Sequence, residues 1–169
     1  TARSASGTTS VNTASSTVVS GENAALESLK AELDSASVFS RLVNVDYASH
    51  SAQMDELLPG LREQLATLSP RAGQVPLYST VNAERLSGTE LDGEYWCRNL
   101  RQTVRLDVAL SQLLADGYGV FVEVSAHPVL TMTLSGVCDA QGAVVIGSLQ
   151  RERGALTQIQ RGLAELHVQ

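Results

Sequence analysis

Three histidines and two cysteines are the side chains in this 169-residue sequence best suited to proton transfer, nucleophilic attack or metal binding. His50, His127 and His167 show none of the short spacings by which protein ligands close on zinc, so no metal site is expected. Cys97 and Cys138 have no ligand-like neighbours; a disulfide between them stays open, although two buried or free thiols are the usual state in a cytosolic chain. His50 has the most suggestive setting. It closes Asp46-Tyr47-Ala48-Ser49-His50, just past a strand-like run, in a loop of small side chains that precedes a helical pattern. α/β proteins present reactive side chains on such loops. A neutral imidazole there can take a proton from a hydroxyl nucleophile near neutral pH.

Spacing alone does not require that role, since an isolated histidine is more often structural. Ser49 adjoins His50, but successive side chains of an extended segment point to opposite faces, which argues against a Ser49–His50 dyad. No Gly-x-Ser-x-Gly elbow, glycine-rich phosphate loop or His-Glu-x-x-His occurs anywhere in the chain. His127, ahead of Pro128 and Val129-Leu130, reads as packing at the start of a helix, and His167 as solvated surface. Glu123 stands in an apolar strand run, where a carboxylate needs a partner; a structural ion pair is expected.

The elements that must position these groups alternate between strand and helix. Thr17-Val18-Val19-Ser20-Gly21 is a β-branched strand stopped by a turn glycine. Residues 22–33 carry Ala25, Leu26, Leu29 and Leu33 at helical spacing. Residues 38–45 return to a strand pattern that delivers the chain to His50. A second amphipathic helix follows, with Met54, Leu57, Leu58, Leu61, Leu65 and Leu68 on one face, a kink or restart at Pro59-Gly60, and Pro70 at its close. Strand 75–80, helices 94–99 and 104–115, strand 120–124, a helix opened by His127-Pro128, strand 144–146 and helix 155–166 complete the order. The fold class is α/β.

Composition narrows the function classes. The formal charge is −6 and no cluster of Lys or Arg forms a stripe, which disfavours nucleic acid. No apolar run approaches the roughly 20 residues that span a bilayer, and the first ten residues do not form a secretory signal. The expected location is cytoplasmic. With 43% hydrophobic residues and only seven aromatic ones, the core must be built from Leu, Val and Ala.

Val45-Asp46-Tyr47-Ala48-Ser49-His50-Ser51 resembles a segment of the acyltransferase domains of modular type I polyketide synthases. Asn12 and Thr17-Val18-Val19-Ser20-Gly21 upstream, and Pro76-Leu77-Tyr78-Ser79-Thr80, Tyr95-Trp96-Cys97-Arg98-Asn99-Leu100-Arg101 and 121–130 downstream, follow in family order. The resemblance runs from about Val11 to the end. It implies a partial α/β-hydrolase-like acyltransferase core plus an incomplete ferredoxin-like small subdomain. Within it, 1–10 is a divergent or disordered segment and 11–46 part of the small subdomain. Residues 47–142 are the C-terminal part of the core, and 143–169 lead into the post-acyltransferase linker.

The resemblance also implies a reaction. A serine attacks the thioester of an acyl-coenzyme A, and the acyl group passes to the phosphopantetheine thiol of an acyl carrier protein. His50 takes the place of the catalytic base, and Asn99 matches the residue whose backbone carbonyl orients the imidazole. Tyr47, Ala48 and Ser49 occupy the specificity positions. Their Tyr-Ala-Ser-His form is associated with methylmalonyl units, whereas malonyl-selective relatives carry His-Ala-Phe-His. Methylmalonyl-CoA or malonyl-CoA and the carrier protein are thus the expected partners, with no bound cofactor. The elbow serine, the oxyanion-hole residues and the arginine for the extender carboxylate belong upstream in this family, and none is present here. The chain alone is therefore expected to be inactive, acting with an upstream half of the domain and other synthase domains. Two other readings remain: a non-catalytic remnant that docks carrier protein or a neighbouring domain, and an independent hydrolase.

Overall fold

The computed structural model describes residues 6–43 and 48–168. It divides into two compact units, Thr1–Ala109 and Leu110–Gln169. This division falls inside the stretch 47–142 that the sequence suggested as one core.

The first unit opens with β1 (Ser6–Thr13) and β2 (Ser16–Gly21), an antiparallel hairpin rich in Thr and Val, which suit a pleated surface. The Thr13 hydroxyl accepts the Ser15 N–H inside the turn. β1 is also paired in parallel with β5 (Val104–Arg105), so a three-stranded sheet runs β2-β1-β5. Residues 6–10 thus belong to the fold, contrary to the expectation of a divergent or disordered start. α1 (Asn23–Ser35) follows and buries Ala25; its exposed side carries the Lys30–Asp34 pair one turn apart.

Residues 38–43 do not form the strand that their β-branched pattern suggested, and the rest of that strand lies outside the described residues. The reason is pairing. A strand needs a neighbour for its N–H and C=O groups, and this segment has none assigned, leaving Phe39 92% exposed.

A 3₁₀ turn over Ala52–Met54 leads to α2 (Leu58–Gln64), whose first turn holds Pro59, where a missing N–H costs nothing. The restart expected at Pro59-Gly60 comes slightly earlier, at Leu58, and the helix ends at Gln64 rather than running on to Pro70. β3 (Leu77–Ser79) pairs with the short β4 (Glu84–Leu86), and α3 (Gly93–Arg101) follows. The turn after β4 depends on Gly88. Its φ is +108°, and a Cβ there would stand 2.8 Å from the Arg71 carbonyl oxygen and 2.9 Å from the Gly73 nitrogen. Both obstacles are backbone, so Gly88→Ala is expected to destabilise the protein by about 2–3 kcal/mol. Urea unfolding with an unchanged slope and a lowered midpoint is the expected result; an unmoved midpoint would show that residues 71–73 yield freely.

α4 (Leu106–Ala115) carries the boundary between the units. The second unit holds β6 (Val120–Glu123) paired in parallel with β7 (Val144–Gly147), joined by α5 (Thr131–Asp139) and followed by α6 (Ala155–His167). The α5 connection is the crossover that a parallel pair requires. Helix α5 begins at Thr131, not at Pro128. Pro128 instead lies against β7, where any Cβ on Gly147 would come within 2.9 Å of it.

The apolar core is thin. Among the described residues eleven apolar side chains are buried, while twenty large ones stay exposed. A parallel sheet is normally covered on both faces, yet Val120, Val122 and Val124 all lie open along one run.

Candidate active site

His50 sits at φ +58°, in the left-handed region that costs a non-glycine residue of the order of 1 kcal/mol. Contacts with the end of α3 hold it there. Its N–H donates to the Leu100 carbonyl at 3.0 Å, and its ring Nδ1 lies 2.9 Å from the Gln102 carbonyl oxygen. A carbonyl oxygen only accepts, so the neutral ring carries its proton on Nδ1. The lone pair is then on Nε2, on the opposite side of a half-buried ring. That tautomer is the one a proton-accepting base needs.

α3 is built to bring its C-terminal end to this place. Asp92 caps its start by accepting the Tyr95 N–H at 2.8 Å. The buried Tyr95 hydroxyl meets the Ser79 hydroxyl at 3.0 Å and fixes the helix to β3. Arg62 on α2 grips Glu94 with two hydrogen bonds, of 2.8 and 3.2 Å, and this bonding holds the Glu94 carboxyl below its usual range. Gly93 allows α2 to approach, since a Cβ there would lie 3.1 Å from Leu65. Arg101, the last helical residue, donates to Asp55 at 2.6 Å. On the His50 side, the Ser51 hydroxyl accepts the Gln53 N–H and donates to the Ala48 carbonyl at 2.6 Å, so the loop passes directly into the 3₁₀ turn.

The structure corrects one assignment. The carbonyl that orients the imidazole is that of Gln102, whereas Asn99 lies three residues earlier, within α3. The carbonyls of the last helical turn lack partners within α3, and of these it is Leu100 that meets the His50 backbone, while the ring is met by Gln102, the extended cap residue just past the helix. Tyr47 lies outside the described residues. Ala48 and Ser49 flank His50, and no hydrogen bond joins Ser49 to it among the described residues. No group of three metal-ligating side chains occurs among the described residues, and none of their helices is long and apolar enough to cross a membrane.

Glu123 has a different partner from the ion pair its position suggested. Its carboxylate accepts the backbone N–H groups of Val129, Leu130 and Thr131 and the hydroxyls of Thr131 and Ser125, at 2.8–3.2 Å. Burial pushes its carboxyl upward, but these hydrogen bonds outweigh it and the net shift is downward. The approach to α5 is thus folded around one half-buried anion. Nearby, His127 accepts the Arg151 N–H on Nδ1 at 3.4 Å, in keeping with a structural role. Cys97 and Cys138 are buried free thiols in different units, and burial raises the Cys138 thiol.

The sequence model of the acyl transferase domain family matches residues 7–169. The chain belongs to that family. Among curated relatives, this acyltransferase chain is 51% identical over 160 residues to polyketide synthase GfsB of Streptomyces halstedii, covering 93% of the chain and 3% of the synthase. It is 41% identical over 162 residues to erythronolide synthase EryA2 of Saccharopolyspora erythraea, 94% of the chain and 4% of that protein. Its fold is similar to the acyltransferase domain from module 8 of the salinomycin polyketide synthase, with a TM-score of 0.91 and 44% identity over 95% of this chain and 38% of that one. It is also similar to a loading acyltransferase from the avermectin modular polyketide synthase, at 0.89 and 38% identity over 96% and 51%. The acyltransferase chain thus spans about two fifths to one half of these solved domains. The α/β class agrees with them, and the family match from residue 7 agrees with the observed β1.

Proposed function

We propose that this chain is the C-terminal, base-bearing part of a polyketide synthase acyltransferase, and that it transfers a methylmalonyl unit from coenzyme A to an acyl carrier protein. The observation that carries this reading is the His50 ring, proton on Nδ1 toward Gln102 and lone pair free on Nε2, in a chain without a serine elbow. The serine is supplied by a segment outside these 169 residues. Its hydroxyl proton passes to Nε2 as its oxygen attacks the thioester carbonyl. The tetrahedral centre then collapses with loss of the coenzyme A thiolate, which takes the proton back from Nε2. The carrier's pantetheine thiol repeats the sequence in reverse. It gives its proton to Nε2, attacks the serine ester, and the proton returns to the serine oxygen.

The thin core supports a piece that works with more structure. Residues 38–43 and the Val120–Val122–Val124 row have the chemistry of surfaces that another strand or helix covers. Selectivity follows from Ser49, since a small side chain beside the acyl pocket leaves room for the α-methyl that a phenylalanine would crowd. One methyl is worth about 1–3 kcal/mol, a preference of roughly 10- to 200-fold.

Intact mass tests both parts. The chain alone, incubated with methylmalonyl-CoA, is expected to gain no stable adduct. Mixed with a serine-bearing upstream segment and equal amounts of methylmalonyl- and malonyl-CoA, the pair is expected to gain chiefly methylmalonyl, on the upstream partner. A stoichiometric adduct on this chain alone would place the nucleophile within it and overturn the reading; a malonyl adduct in excess would overturn the selectivity.

A further inference from the structure

We propose that the Asp55–Arg101 ion pair is a positioning device for the His50 ring, an inference that rests on the proposed role of His50 as base. Three consecutive residues at the end of α3 grip the His50–Asp55 segment. The Leu100 carbonyl takes the His50 N–H at 3.0 Å, the Arg101 Nε donates to the Asp55 carboxylate at 2.6 Å, and the Gln102 carbonyl takes the ring Nδ1–H at 2.9 Å. The middle contact lies between the two that touch His50. It connects rigid bodies: Arg101 is the last residue of α3, and Asp55 closes the 3₁₀ turn. The Met54 and Asp55 N–H groups donate to the Ser51 and Ala52 carbonyls at 3.1 Å, which couples the carboxylate to the histidine loop.

The pair is poorly placed to stabilise the protein as a whole. Its side chains are 38% and 55% exposed, and such pairs contribute little to folding because water and salt screen them. Its consequence is local. Among the described residues His50 has one ring hydrogen bond, and its backbone is left-handed, so any parting of α3 from the 3₁₀ turn releases the ring first. Asp55 and Arg101 hold that gap closed and so keep the proton on Nδ1 and the lone pair on Nε2. They touch no reacting atom; they act through His50.

The test reads the ring directly, without acyl transfer. In the full chain with ¹⁵N-labelled histidine, the His50 Nδ1–H is observed by NMR and its exchange with water measured. Asp55→Ala and Arg101→Ala are each expected to speed that exchange at least tenfold while the urea midpoint barely moves. Asp34→Ala, which breaks the exposed Lys30–Asp34 pair on α1, is the control and is expected to leave it unchanged. Raising the salt from about 0.01 to 1 M, which shortens screening from about 30 to 3 Å, should speed exchange in the unaltered chain but not in Arg101→Ala. The salt series decides the matter if a variant fails to fold. Unchanged exchange in both variants, or no salt response, would overturn the positioning role and leave His50 as base untouched. A His50 ring protonated on Nε2 in the unaltered chain would overturn both.

Discussion

His50→Ala is expected to lower kcat/KM of the assembled acyltransferase by about 10²- to 10⁴-fold, the range that general acid–base groups contribute. Binding of the serine-bearing segment should be retained. The effect falls on chemistry because the ring's anchoring contact uses only Nδ1, and what alanine removes at Nε2 is the proton acceptor. Backbone strain is the competing explanation, since position 50 has a φ of +58°. His50→Asn separates the two. Asparagine tolerates that conformation better than alanine does, yet it supplies no base near neutral pH. Both variants should therefore lose activity to the same extent while differing in stability. Transfer by either within threefold of the unaltered enzyme would remove His50 from the mechanism.

Glu123→Gln is expected to cost about 3 kcal/mol of stability. The charged acceptor takes five hydrogen bonds, and bonds to charged groups contribute about 1.5–3 kcal/mol each. Glutamine keeps one oxygen but turns an NH₂ toward N–H groups that point inward. The pH dependence gives the sign independently. Burial raises the carboxyl and the hydrogen bonds lower it further, so the folded value lies below the ordinary 4.5. A group shifted down binds fewer protons in the folded state. Its stabilisation is thus complete above about pH 4.5 and is lost as the pH falls through the folded value. Urea midpoints of the two proteins, well separated at pH 7, should converge as the pH falls through that folded value. Parallel curves would show that Glu123 acts by shape rather than charge.

What the sequence made legible follows from where the physical signal lies. The helical periods of α3 and α6 and the β-branched runs of β2, β6 and β7 were readable because their own residues carry the pattern. β1 was not: Ser-Gly-Thr-Thr-Ser reads like a tail, and only pairing with β2 and β5 makes it a strand. Residues 38–43 fail in the opposite direction, having strand composition without a neighbour. At the site, the imidazole was legible from its loop, but Gln102 acts through a carbonyl, which every residue possesses and which leaves no trace in side-chain type. The oddity of a carboxylate in an apolar run marked Glu123. Its partners were hidden for the same reason, three of the five donors being backbone.

The pairing of β1 with β5 has a consequence for a chain made from one end to the other. Ser10 and Val11 meet Val104 and Arg105, so the hairpin is synthesised roughly 5–20 s before its third strand at ordinary rates of translation. During that interval the far edge of β1 presents an unfilled ladder of N–H and C=O groups to whatever is nearby, including other nascent chains. The histidine loop, delivered between the two strands, cannot be locked until residues 100–102 follow. The sheet and the base are therefore completed together, within a few residues of one another and late.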